Sequence, residues 1–326
     1  MKRISIVLLV LFSVLYYGAQ GQNTLPTPSK SQTKSNASQK SNAPRKSETK
    51  KDANAEEANN QTASLKDLED YVYFVRLTSI SVTAEPGTEA GYYISELTDG
   101  GKTWTYPFKE SESVIGSGFI TSDGFFVTAR HVIEPWAYIE FCNLGDPLFW
   151  VAFLSYEGMG GTVEATYHIE CKTGDRRDLY FREFTVSRHR DEEVVLTATD
   201  DDPYHVRRAM AKNDYAYVKL PVKSNIVVDR VLSNNIPSGT RLDILGFPEG
   251  MGSDKNNIKP QYTYATTSNT GLYHGQIPVT GAQMEPGTSG GPVFCEKDGQ
   301  YFVVGIVSRG MGKHSGVIVP MSQVNY

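Results

Sequence analysis

Three short stretches of this sequence each carry a side chain suited to proton transfer or nucleophilic attack. The first is Phe126-Val127-Thr128-Ala129-Arg130-His131-Val132-Ile133. His131 follows β-forming residues that end in small ones, which predicts a ring at the edge of an element, where an imidazole can accept and return a proton. A histidine after a strand is also a common structural residue, so this stretch decides little alone. The second is the alternation Asp214-Tyr215-Ala216-Tyr217-Val218-Lys219-Leu220, in which Asp214, Ala216, Val218 and Leu220 share one strand face. A carboxylate on an apolar face needs a partner, because burying it unpaired is costly. An imidazole N–H would satisfy it and leave the other ring nitrogen as a base. By itself Asp214 reads equally well as a surface residue at a strand start. The third stretch is Glu285-Pro286-Gly287-Thr288-Ser289-Gly290-Gly291-Pro292-Val293. Its glycines let the backbone reach positive φ, as a serine nucleophile needs if the N–H groups of Gly287 and Ser289 are to converge on a developing oxyanion. Losing one such donor typically costs about 3–4 kcal/mol of transition-state stabilisation.

The elements that must position these groups are short. YVYFVRLTSISV, VIGSGFI, GFFVTA, YIEF, DYAYVKL, RLDILGF, GPVF, YFVVGIVS and GVIVP are strand-length, rich in β-branched or aromatic residues, and separated by Gly, Pro, Asp and Asn. Long helical periodicity is scarce. The pattern predicts an all-β sandwich or barrel, without deciding between them. Residues 83–113 and 155–209 read as insertions hanging from one half of the domain. Residues 221–239, between the Asp214 strand and RLDILGF, read as the crossover between halves.

Taken together in the order histidine, aspartate, serine, the motifs TARH (128–131), DYAYVKL (214–220) and PGTSGGPV (286–293) resemble the trypsin-like, chymotrypsin-fold serine peptidases. The likeness is to the bacterial HtrA-like branch, over roughly residue 71 to residue 326. It implies two packed six-stranded antiparallel β-barrels, about residues 70–228 and 229–326, with the site in the cleft between them. It also implies a catalytic triad of His131, Asp214 and Ser289, and an oxyanion hole formed by Gly287 and Ser289. Gly116-Ser117-Gly118-Phe119-Ile120 and Leu245-Gly246-Phe247-Pro248 resemble further family segments. Gly305-Ile306-Val307-Ser308-Arg309-Gly310 resembles the strand that pairs with an extended substrate.

The resemblance has departures. Thr288 stands where the animal digestive members have an aspartate that pairs with a newly cut N-terminus, so activation of that kind is not expected. Nor is a PDZ module, usual among HtrA-like proteins, to be found in the sequence. Family positions would put Gln283 at the base of the specificity pocket and Ser308, Arg309, Gly310 and Gly316 along its walls. With no acid at Gln283, a preference for lysine or arginine is disfavoured. A small or apolar substrate side chain is the favoured expectation, with an acidic one, drawn by Arg309, Lys313 or His314, as the alternative.

The ends and the charge bound the rest. Met1-Lys2-Arg3, the apolar run from Ile4 to Tyr17 and the small residues to Gly21 read as an export signal, residues 1–21. The run falls short of the ~20 residues that cross a bilayer, so no transmembrane span is expected once it is removed. Residues 22–66 hold few apolar side chains and read as a disordered tether. They carry eight basic and four acidic residues, whereas residues 67–326 carry 22 basic and 33 acidic ones. That acidic balance disfavours nucleic acid as a partner. Cys142, Cys171 and Cys295 match no metal-site spacing and allow at most one bridge. The expectation is therefore a periplasmic or secreted serine endopeptidase that acts on polypeptides without metal or organic cofactor, of undetermined oligomeric state. A trypsin-fold binding protein that has lost turnover and a serine esterase are the alternatives, with a surface adhesin the weakest.

Overall fold

The computed structural model describes residues 64–137, 146–156, 158–187, 194–197, 205–208, 213–250, 252–254, 257–268, 272, 275–281, 284–311 and 314–326, with only the backbone at 194–197 and 205–208. The expected export signal, most of the tether, Cys142, Gln283 and Lys313 lie outside the described residues. The described chain opens on a one-turn helix, α1 (Leu65–Leu68). It is started by Ser64, whose hydroxyl and backbone N–H both donate to Asp67, satisfying groups the helix itself cannot. Leu68 is buried.

The first half is built on β1 (Val72–Thr83), β2 (Thr103–Pro107), β3 (Ile115–Ile120), β4 (Phe125–Thr128), β5 (Thr162–Cys171), β6 (Arg176–Tyr180) and β7 (Thr185–Val186). A separate ribbon, β8 (Val194–Thr197) with β9 (His205–Arg208), precedes the last strand of this half, β10 (Ala216–Lys219). The sheet runs β6-β5-β1-β3-β4-β10-β7, with β2 paired to β1. The second half consists of β11 (Arg241–Gly246), the small hairpin of β12 (Ser253–Asp254) and β13 (Asn257–Ile258), then β14 (Gln261–Thr267), β15 (Ile277–Thr280), β16 (Pro292–Lys297), β17 (Gln300–Gly310) and β18 (Ser315–Pro320). Here β11-β14-β15-β18-β17-β16 close into a six-stranded barrel.

The expectation of two six-stranded barrels is thus met in the second half only. The first is an open, eight-stranded sheet. Its long β1 explains the difference. One edge of β1 is divided between β3, on Val72–Arg76, and β2, on Ser79–Thr83. The other edge is lined along its length by β5, with a register shift between Leu77 and Ser79. A strand shared by three partners widens the sheet, and the two-residue β7 ends it with no ladder to β6 among the described residues.

Both stretches read as insertions hold ordered elements. In the first, α2 (Glu89–Leu97) is capped by the Thr88 hydroxyl, which accepts the Gly91 N–H at 3.0 Å, and buries Ala90 and Ile94. The second supplies β5, which is framework. Between the two lie α3 (Arg130–Ile133) and α4 (Pro147–Leu154), the latter beginning with Pro147 and capped by Asp146. The crossover between halves contains α5 (Arg230–Asn234).

One apolar cluster belongs to both halves. Leu68, Val72, Phe119, Val127, Tyr215 and Ile226 pack with Leu245, Phe247, Phe294, Val303, Ile306, Val319 and Met321. Each fully buried side chain of this size contributes about 1.5–3 kcal/mol, so the seam is a core, and the two halves are held in register beneath the site. No helix among the described residues is long and apolar enough to cross a membrane.

Candidate active site

His131 stands on the one-turn helix α3, which follows directly from β4. Asp214 comes just before β10, whose residues pair with β4 from Ala216↔Thr128 to Lys219↔Phe125. Adjacent antiparallel strands therefore bring together two residues 83 positions apart. As the alternation predicts, Asp214, Ala216, Val218 and Leu220 are all buried, Asp214 to 3 % exposure. The His131 backbone N–H donates to Asp214 Oδ1 at 2.9 Å, and its ring Nδ1 lies 2.7 Å from Oδ2.

Burial alone would push the Asp214 carboxyl up. The charge of His131, its ring and backbone hydrogen bonds and a bond from Ser308 outweigh that and hold the group below the ordinary aspartate value. An ionised Asp214 accepts from Nδ1–H, which fixes the tautomer and leaves the ring's basic lone pair on Nε2.

Ser289 lies in the turn that leads into β16, on the barrel side. Its hydroxyl donates to the Ser308 carbonyl at 3.2 Å, and the Ser308 hydroxyl donates to Asp214 Oδ2 at 2.6 Å. Ser289, Ser308, Asp214 and His131 thus form one connected set across the two halves. The backbone closes the same gap. A Cβ added to Gly116 would meet Val132 at 2.6 Å and the Ser289 carbonyl at 3.2 Å, and the Ser117 N–H donates to that carbonyl at 2.7 Å.

The turn before Ser289 has its carbonyls tied down. The Pro286 carbonyl accepts the Glu249 N–H at 2.6 Å, the Gly287 carbonyl accepts the Ser117 hydroxyl at 2.7 Å, and the Thr288 carbonyl accepts the Gly291 N–H at 3.0 Å. In a trans peptide the N–H points opposite to the carbonyl. The Gly287 and Ser289 amides are therefore directed away from Glu249 and Gly291, and they donate to no acceptor among the described residues. Two unspent donors on either side of Thr288, beside a serine hydroxyl, are what an oxyanion needs. Gly287 and Gly290 hold φ of 93° and 86°, and a Cβ on Gly290 would fall 2.1 Å from the Ser117 carbonyl oxygen and 2.2 Å from Thr128 Oγ1.

Of the residues expected along a pocket, Gln283 lies outside the described residues. Gly310 and Gly316 face one another across β17 and β18, and Arg309 is partly exposed. Ser308 is buried and turned to Asp214. The ladder between β17 and β18 shifts register between Val307 and Arg309, so Ser308 is the extra residue of a bulge. Val307 and Ser308 are both buried, Val307 in the apolar cluster within the barrel and Ser308 with its hydroxyl bonded out to Asp214. Sequence reasoning missed this role because the bond is made across the seam, to a residue 94 positions away.

The profile of the trypsin-like peptidase domain matches residues 116–306, more than half of the chain. The chain belongs to the trypsin-like peptidase family. The matched stretch contains His131, Asp214, Ser289 and most of the barrel. Among solved structures, the peptidase is similar to the HtrA-type protease AlgW in a variant with decapeptide, at 15 % identity and TM-score 0.41, covering 79 % of this chain and 62 % of that one. AlgW with tripeptide matches at 16 % identity and TM-score 0.40, over 78 % and 58 %. The chain spans less than two thirds of the length of either.

Proposed function

We propose that this trypsin-like domain is a serine endopeptidase. The observation that carries the reading is the single hydrogen-bonded set of Ser289, Ser308, Asp214 and His131 beside two unspent backbone amides. Ser289 attacks the peptide carbonyl as its proton passes to His131. Asp214 keeps the imidazole in the competent tautomer and stabilises its charged form. The Gly287 and Ser289 N–H groups hold the oxyanion, His131 returns the proton to the leaving amine, and water repeats the sequence on the acyl-enzyme.

The polypeptide lies extended along β17. The ladder from β16 ends at Ile306, which supports strand addition by the substrate along the continuation of β17. Beside this edge the space is already partly filled. A Cβ on Gly316 would meet Met284 Sδ at 2.1 Å, and one on Gly310 would meet the Met284 carbonyl oxygen at 2.9 Å. A thioether there favours a small or apolar side chain before the cleaved bond. The export signal supports a periplasmic or secreted location.

The test is a peptide library varied at the residue before the cleaved bond, run on wild type, Ser289→Ala and Met284→Ala. Wild type should cleave after small residues and Ser289→Ala should not cleave. Met284→Ala should improve cleavage after Leu or Phe by about tenfold or more, as expected for opening a pocket by a few methylenes. Folded wild type that cleaves nothing and takes up no serine-directed phosphonate would rule the reading out.

A further inference from the structure

We infer that Gln276 is a positioning residue for the Asp214 carboxylate, acting through the hydroxyl of Ser308. The inference rests on the peptidase reading above. Gln276 immediately precedes β15, is 2 % exposed, and donates from Nε2 to Ser308 Oγ at 3.2 Å. Burying a carboxamide is costly unless it is bonded, and this one is spent on a residue 32 positions away.

A hydroxyl has one hydrogen and two lone pairs, while an amide NH₂ can only donate. At Ser308 the amide therefore occupies a lone pair, and the one hydroxyl hydrogen is left to point at Asp214, where the bond is short at 2.6 Å and charge-assisted. An apolar residue at 276 would leave the hydroxyl free to swing, and a carboxylate there would compete with Asp214 for its hydrogen. Gln276 thus sets the polarity of a relay that runs from β15 through the β17 bulge to Asp214 and His131.

Ionisable groups adjoining this line in the chain are His131 with the buried Arg130–Glu134 pair at α3 and its cap, Arg309 next to Ser308, and Tyr215 next to Asp214. Among the described residues, only His131 and Ser308 hydrogen-bond to the Asp214 carboxylate.

The experiment follows the ring titration of His131 by NMR in folded, histidine-labelled protein, with the pH profile of kcat/KM beside it, in wild type, Gln276→Glu, Gln276→Met, Ser308→Ala and the Gln276→Met/Ser308→Ala double variant. Gln276→Glu adds negative charge and withdraws the hydroxyl hydrogen from Asp214. The imidazolium is then favoured, and the titration and the acid limb move up by about one pH unit. Gln276→Met lowers kcat about fivefold, the worth of one neutral hydrogen bond, and has no further effect once Ser308 is alanine. An unmoved titration in folded Gln276→Glu, or additive effects of Gln276→Met and Ser308→Ala, would overturn the assignment. If Gln276→Glu does not fold, the Gln276→Met and Ser308→Ala cycle decides. If wild type cleaves nothing, the peptidase reading falls, while the ring titration still decides the role of Gln276.

Discussion

The barrel that carries Ser289 closes on itself, with β11 bonded to β14 on one side and β16 on the other, whereas the sheet that presents His131 and Asp214 ends in β6 and the two-residue β7. The closed half holds the parts that demand tight geometry, namely the turn from Glu285 to Gly291 and the Ser308 bulge. The open half holds the hydrogen-bonded His131–Asp214 pair and takes part of its order from the barrel. Ser308 reaches out of the barrel to Asp214, and Ser117 reaches into it, accepting the Phe247 N–H at 3.0 Å while donating to the Gly287 carbonyl. The proposed chemistry is therefore a property of the seam.

The largest effects should come from cutting that seam's chemistry at either side. Ser289→Ala should lower kcat by about 10⁶-fold and Asp214→Asn by about 10⁴-fold, each with an unchanged far-ultraviolet spectrum. If Asp214→Asn also strips hydrogen-exchange protection from β4 and β10, Asp214 holds the halves together, and the division of labour drawn above fails. A smaller effect, on stability, is expected at Gly290. An alanine there must both hold positive φ and clear the Ser117 carbonyl, so Gly290→Ala should cost about 2–4 kcal/mol in urea unfolding and lower activity with it. An undiminished midpoint would mean that the seam yields easily.

Acid should produce the mildest effect. Burial pushes Asp175 up, but hydrogen bonds from Arg177 and Tyr73 hold it below the ordinary value of 3.8, and Asp214 is likewise held low. A carboxylate lowered in the folded state stabilises the fold above pH 3.8 and loses that contribution as pH falls through its folded-state value. Both groups belong to the open half. Amides of β5, β6 and β10 should accordingly lose exchange protection before those of β11 and β14 as pH drops below 3.8, and Asp175→Asn should blunt the loss at β5 and β6. Simultaneous loss in both halves would erase the contrast.

What the sequence made legible was local. TARH, the alternation after Asp214 and the glycines around Ser289 each carry their geometry within a few residues, so these three side chains stand out from local pattern alone. The open sheet was not legible, because closure depends on which strands share β1, and the residues from Thr162 to Cys171 read as part of a charged insertion although their alternate side chains are buried. The family resemblance puts Ser308 on a pocket wall, and its hydroxyl bond to Asp214 leaves no local signal because it depends on how the two halves meet. Gln276 left no signal, since a single amide ahead of a four-residue strand matches no motif.

Cys171 and Cys295 are both buried and both unbridged, one in each half. Neither therefore ties its half covalently to another part of the chain. Cohesion falls to apolar packing and to the few hydrogen bonds that cross between the halves. A reductant should accordingly leave the melting point of the domain where it was.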